Sequence, residues 1–204
     1  VIGCKPKLTI QRGPDSPLQC NVRAPPSGGK TNLMTFRIAR PTDAAAIAAL
    51  HAKSWQENYA NSMSAEYLKD VAPRERLELW RSRFEEPLSS RWILIAEEED
   101  QLLGFICLET NNDPQWGALL DNLHVNSKFQ GRGIGKKLMQ RCAAFLRKKT
   151  RPTGFYLWVL TDNEAAIEFY KRMGGRQEGG ARTLTLVGQE TEVYRYVWED
   201  LSVL

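Results

Sequence analysis

Only two histidines and four cysteines occur in 204 residues, and none has the paired short spacing that holds zinc or an iron–sulfur cluster, so no metal centre is expected. Cys4 and Cys20 fall in an N-terminal leader, Cys107 in an apolar strand pattern and Cys142 on the apolar face of a helical one. The pattern is that of free thiols, the last two buried as small hydrophobes. No apolar run approaches the roughly 20 residues of a membrane helix, and mean hydropathy is −0.43. No secretory signal is visible. Val1-Ile2-Gly3-Cys4 resembles the end of a lipoprotein signal, but no charged start or apolar stretch precedes it. These absences predict a soluble, cytoplasmic protein with no membrane partner.

The charge of one sign is also scarce where it would matter. The formal net charge is +4, but residues 1–33 hold Lys5, Lys7, Arg12, Arg23 and Lys30 against Asp15 alone. The remaining residues, 34–204, therefore balance at 23 basic and 23 acidic side chains. A nucleic-acid partner would need a basic face that this composition does not supply, and none is expected. The leader 1–33 is rich in Pro, Gly and Ser, lacks periodicity and reads as disordered, with Met34 the expected native start and the residues before it not native. Residues 34–204 are long enough for one substantial core, and one domain is the expectation.

Most of the information lies in Leu119–Met139. Leu119, Asp121, Leu123 and Val125 alternate on one face of a predicted strand. A short loop carries Gly131, Gly133 and Gly135, and from Ile134 the apolar residues Ile134, Leu138, Cys142 and Phe145 recur at helical spacing. The glycines thus sit at a helix N-terminus, where backbone can approach a ligand closely, N–H groups lack intrahelical partners and the helix dipole attracts an anion. That is a pyrophosphate cradle. Its spacing excludes two common kinds. Gly135-Lys136 follows Gly131 one residue too closely for a Walker loop, and Lys137 replaces its Ser/Thr. A dinucleotide fingerprint needs a third glycine where Lys136 stands.

Gln130-Gly131-Arg132-Gly133-Ile134-Gly135 resembles the Gln/Arg-x-x-Gly-x-Gly/Ala signature of the GNAT family, the GCN5-related N-acetyltransferases. Leu123-His124-Val125 is similar to the strand end that precedes that signature, and Asn163-Glu164-Ala165-Ala166-Ile167-Glu168-Phe169-Tyr170 to the family's Asn-x-x-Ala-x-x-Phe-Tyr helix, closed by Met173-Gly174-Gly175. The resemblance covers Thr35–Trp198 and implies an α/β fold, a mixed central sheet of about seven strands flanked by helices.

The elements read along the chain agree. Thr35–Ala39 is a strand, Ala44–Lys53 a helix opened by Pro41-Thr42-Asp43, and Ser64–Glu86 a helical stretch interrupted at Pro73. Its arginines Arg74, Arg76, Arg81 and Arg83, interleaved with glutamates, read as a solvated face. Trp55, Glu57 and Tyr59 could line an acceptor pocket, although aromatic residues at helical spacing more often pack in a core, as Tyr67 and Trp80 equally could. Trp92–Glu97 and Leu102–Glu109 form a hairpin, and Phe155–Leu160 is an apolar run typical of a strand buried on both faces. Thr161 and Glu164 make a capping box for the helix that carries Tyr170. Thr183–Val187 and Glu192–Trp198 close the chain as a hairpin with Gly188 in its turn.

The family resemblance implies acetyl-CoA as cofactor and direct acetyl transfer to a primary amine in a ternary complex. Amides from Gly131 to Lys136, including those of Arg132, Gly133, Ile134 and Gly135, would hold the pyrophosphate, with Gln130, Arg132 and Lys136 adding polar or charged contacts. By the same resemblance the backbone of Leu123 and Val125 pairs with the pantetheine arm, Asn163 contacts that arm, and Tyr170 is the general acid for the departing thiolate. Asp121 is the first candidate for the base, followed by His124 and Glu57. The acceptor could be a small amine or polyamine, an amino acid, or a protein N-terminus or lysine, and a homodimer through the C-terminal strands is plausible by resemblance. A different acyl-CoA, or a non-catalytic CoA-binding module of the same fold, are the alternatives.

Overall fold

The computed structural model describes residues 33–60, 62–148, 154–186 and 188–204. The expected leader, 1–33, lies outside them but for Leu33. Seven strands form one mixed sheet in the order β1-β2-β3-β4-β5-β7-β6. They are β1 (Thr35–Ile38), β2 (Arg91–Glu98), β3 (Gln101–Asp113), β4 (Gly117–Val125), β5 (Phe155–Leu160), β6 (Arg176–Leu186) and β7 (Gln189–Trp198). Helices α1 (Ala44–Asn58) and α2 (Ala72–Glu85) precede β2, α3 (Ile134–Arg147) joins β4 to β5, and α4 (Glu164–Arg172) joins β5 to β6. All neighbours are antiparallel except β4 and β5. No helix among the described residues is long and apolar enough to cross a membrane.

The helices cover the sheet from two sides. On one, Ile134, Leu138, Met139, Cys142, Ala143 and Leu146 of α3 are buried against Ile106, Leu108, Leu120 and Leu157. Truncating Leu138, which is fully buried, would remove about 3–4 kcal/mol by the usual core cost. On the other side Ile47, Ala48 and Leu50 of α1 and Trp80 of α2 pack on Ile93, Ile95, Phe105 and Cys107. A third cluster, Trp55, Met63, Leu68 and Ala72, fills the α1–α2 connection, and Leu186 at the end of β6 packs on it.

Several boundaries differ from the sequence reading. Helix α1 runs to Asn58, because Trp55 is buried and extends the apolar stripe. The stretch before Pro73 is a π-helical turn, Tyr67–Val71, and the proline sits in the first turn of α2, where its missing N–H costs nothing. The cap of α4 is not Thr161 but Asn163, whose Oδ1 accepts from the Ala166 amide at 3.1 Å. Strand β6 begins at Arg176, directly after Gly174-Gly175, and is held to β7 across an irregularity between Glu178 and Arg182.

Candidate functional site

Among the described residues, strands β4 and β5 are paired only at Ala118 with Phe155 and Leu119 with Tyr156. Beyond that point they part, and the backbone edge of β4 that would have met β5 faces a cleft of about 700 Å³ instead. Leu123, His124 and Val125 form one wall and Trp158, Val159 and Leu160 the other. The loop Phe129–Lys136 closes one end, α4 lies along the side with Asn163, Ala166, Phe169 and Tyr170, and Ser54, Asn58 and Tyr59 of the α1 end close the other.

The glycine loop is built as an anion cradle. Gly131 and Gly133 have φ of +77° and +73°, the left-handed region that side chains with a Cβ avoid. Gly133 is the N-cap of α3 and has no side chain to cap with. Among the described residues the first amide of the turn with a backbone acceptor is that of Lys137, bonded to Gly133 O at 3.0 Å. The amides of Gly133 to Lys136 are thereby left for a ligand, with the helix dipole behind them. A Cβ on Gly135 would come within 3.2 Å of the Phe169 ring, so the absence of a side chain there lets α4 close against the loop.

Most sequence-predicted residues come together here. Tyr170, Leu123, Val125, Gln130, Gly131, Gly133, Ile134, Gly135, Lys136 and Asn163 all line the cleft. Two do not. The Arg132 guanidinium is turned to Glu98 at the end of β2, which accepts bonds of 2.8 and 3.1 Å. Asp121 does not share the face of Leu123 and Val125, which corrects the alternation expected from sequence. Leu120 pairs with Leu108 and Asn122 with Cys107, so Asp121 is an extra residue, a β-bulge in β4. The bulge reverses the parity of the strand. Asp121 is drawn to α2, where its Oδ2 lies 2.7 Å from Arg83 Nη2, while Leu123 and Val125 pack towards α3.

His124 alternates to the α1 side, as the sequence indicates, and there it enters the cleft wall. Its Nδ1 lies 2.8 Å from Ser54 Oγ, and its ring is 4.6 Å from that of His51. Burial, outweighing the field of Asp121, pushes His124 down to about 4, so the imidazole is neutral at pH 7. His51 is held well below its usual range first by burial and then by His124. Its Nδ1 accepts from Trp80 Nε1 at 3.0 Å, which fixes the tautomer with the proton on Nε2. Glu57 is outside the cleft lining; it accepts from Ser127 Oγ at 2.9 Å.

Tyr170 is half-buried on the opposite wall, edge-on to Trp198 at 5.9 Å and near Tyr196. Burial raises its phenol, with Tyr59 as a lesser cause, so it holds its proton at neutral pH. Among the described residues its hydroxyl has no hydrogen-bond partner, which leaves it free for a ligand in the cleft. The sequence reading missed Ser54, Asn58 and Trp158, which carry no motif. It also mistook Arg76 and Arg83 for solvated charges: each side chain is 13% exposed.

A model of the acetyltransferase (GNAT) family matches residues 47–175. An uncharacterized N-acetyltransferase of Bacillus subtilis, YuaI, is 25% identical over 175 residues, 84% of this chain and 96% of that protein. The L-amino acid N-acetyltransferase AaaT of Escherichia coli is 23% identical over 154 residues, 75% of this chain and 89% of its own. The crystal structure of PaiA N-acetyltransferase from Thermoplasma acidophilum in complex with coenzyme A superposes with a TM-score of 0.61 at 21% identity, covering 81% of this chain and 99% of that one.

Proposed function

The chain belongs to the acetyltransferase (GNAT) family and is an acyltransferase that uses acetyl-CoA, and from that premise we propose that it transfers the acetyl group directly to a primary amine in a ternary complex. One observation carries this: the parted strands β4 and β5 open a cleft that has an anion cradle at one end and is lined by both the protonated phenol of Tyr170 and the neutral imidazole of His124. Acetyl-CoA supplies the thioester carbonyl and the thiolate leaving group. The amides of Gly133 to Lys136 hold its diphosphate, the Leu123 and Val125 backbone pairs with its arm as an added strand would, and Asn163, whose Oδ1 caps α4, offers its amide N–H.

The amine nitrogen forms the new C–N bond as the C–S bond breaks, so one proton must leave nitrogen and one must reach sulfur. Tyr170 holds the second. For the first, His124 lies in the cleft wall with Ser54 fixing its Nδ1, while Asp121 is engaged by Arg83. Asp121 favours the protonated imidazole through its charge, so its part is electrostatic support of His124. Arg132, held by Glu98, reaches the diphosphate only on leaving that pair.

Thermal unfolding of the full chain with acetyl-CoA, CoA, ATP and NAD tests the premise. A ligand at about a hundred times its dissociation constant adds roughly 2.7 kcal/mol, and the stabilisation is expected with the first two alone. Tyr170→Phe should lower kcat roughly 10²-fold or more with CoA affinity unchanged; a variant at full rate removes Tyr170 as the acid.

A further inference from the structure

Among the described residues the cleft has no carboxylate in its lining; its charged side chains are Lys136 and Arg172. A polyamine acceptor, with several positive charges to neutralise, would meet no carboxylate in that lining; the acidic groups that bear on it, Asp121 on His124 and Asp162 on Tyr59, stand behind the wall. Next to its α1 end stands a third cation. Arg76 of α2 lays its guanidinium 4.2 Å over the Trp55 ring, and Trp55 in turn contacts Tyr59, a cleft residue, at 5.3 Å between ring centroids. The charge of Arg76 bears on Tyr59, His51 and His124, more weakly than Asp162 does on Tyr59 and Asp121 on His124.

Arg76 is poorly matched by its own surroundings. Its side chain is 13% exposed, and its Nε is buried without a hydrogen-bond partner among the described residues. The carboxylate beside it, Glu75, is 3.5 Å away and already accepts the Tyr67 hydroxyl at 2.5 Å. Arg83, two turns along the same face of α2, is better matched, with Asp121 at 2.7 Å and Asn122 Oδ1 at 3.4 Å. A buried guanidinium with unspent donors is costly unless something completes it. Its planar fork is shaped for a carboxylate.

We propose that Arg76 receives the carboxylate of the acceptor, so that the amine acetylated in this cleft belongs to a carboxylate-bearing molecule of the amino-acid class. This rests on the transferase reading above. Trp55 holds the guanidinium by its ring face and is itself packed on Tyr59 of the cleft, and with the carboxylate at Arg76 the amine is directed towards His124 and Ser54. Arg76 is a specificity residue, not a catalytic one.

The test compares each of the common amino acids with its own amide, which keeps the amine and removes the negative charge, and adds spermidine. With the free acids kcat/KM should exceed that of the amides at least ten-fold. Arg76→Gln should erase the difference through KM with kcat retained, and Arg76→Lys should restore part of it. A preference for the amides or for spermidine, or an unchanged ratio in Arg76→Gln, overturns the proposal. A second readout needs no turnover: calorimetric binding of N-acetyl amino acids, against their amides, to protein saturated with CoA. Tight binding that Arg76→Gln abolishes supports the assignment; absence of binding to a protein that does bind CoA overturns it while leaving the cofactor site intact. Failure of CoA itself to bind overturns the underlying reading instead. The CoA-induced thermal shift of each variant reports that it is folded.

Discussion

Replacing Gly133 by alanine isolates the backbone argument for the cradle from every packing effect. A Cβ built on Gly133 meets nothing within 4 Å among the described residues, so no clash with them contributes. What remains is the left-handed conformation, φ +73° and ψ +13°, which costs an L-residue about 1–2 kcal/mol. The alanine also stiffens the unfolded chain, which returns about 0.4–1 kcal/mol, so the net loss in urea unfolding should be about 1 kcal/mol. The strain can be relieved only by rotating peptides at the start of α3, and that turns amides of the Gly133–Lys136 turn away from the cleft. Each charge-assisted bond lost is worth about 1.5–3 kcal/mol, so the CoA dissociation constant should rise ten- to a hundred-fold by calorimetry. Gly133→Asn, whose side chain tolerates this region, should recover much of both losses. If Gly133→Ala loses stability yet binds CoA as tightly as before, these amides do not hold the diphosphate. If neither quantity moves, the loop does not need its left-handed turn.

Two other perturbations bear on the acceptor wall. His124 sits at about 4 in the fold against its ordinary 6.5, so between those pH values the unfolded chain binds the extra proton. The contribution is complete above about pH 6.5 and is lost as pH falls towards 4, by at most about 3 kcal/mol, and by less in proportion to the water that reaches the ring from the cleft. The depression of His51 acts in the same direction. Denaturant unfolding along that pH series should show the slope, and His124→Asn should flatten it; an unaltered slope would mean that the ring is not desolvated. Asp121→Asn should cost roughly 2–3 kcal/mol, since it leaves the largely buried Arg83 without its charge partner. Its kcat should fall less than that of His124→Asn, and the opposite ranking would return Asp121 to the role of base.

What could be read from the sequence was what is local. The glycine loop with helix α3, and Asn163 to Tyr170 on α4, depend on spacing within one or two turns, and there the chain's own periodicity determines which residues face the sheet. Parity along β4 is different. Alternation predicts Asp121 beside Leu123 and Val125, but the partner strand supplies one residue fewer between Cys107 and Leu108, and nothing in β4 itself records that. The burial of Arg76 and Arg83 was hidden for a related reason. Their spacing among glutamates is that of an exposed face, and only the approach of α2 to Trp55 and to the end of β4 places these two inside and leaves Arg74 and Arg81 out.

The bulge itself explains how one strand serves two ligands. Before it, β4 is an ordinary partner of β5; after it, the strands separate and the β4 edge becomes available to the cofactor arm. Side chains after it are shifted by one position, which sends Leu123 and Val125 to the α3 side and His124 to α1, where Ser54 awaits it. Without the extra residue His124 would face α3, Leu123 and Val125 would fall on the face of Asp121, and the acceptor wall would lose its imidazole. The irregularity is held by α2: Arg83 reaches Asp121 at 2.7 Å, Asn122 at 3.4 Å and the Cys107 sulfur at 3.7 Å, the residues on either side of the shift in register. A stability loss in Asp121→Asn accompanied by weaker acceptor binding, with CoA affinity intact, is therefore the signature of a bulge that has relaxed, and it separates this positioning role from direct proton transfer.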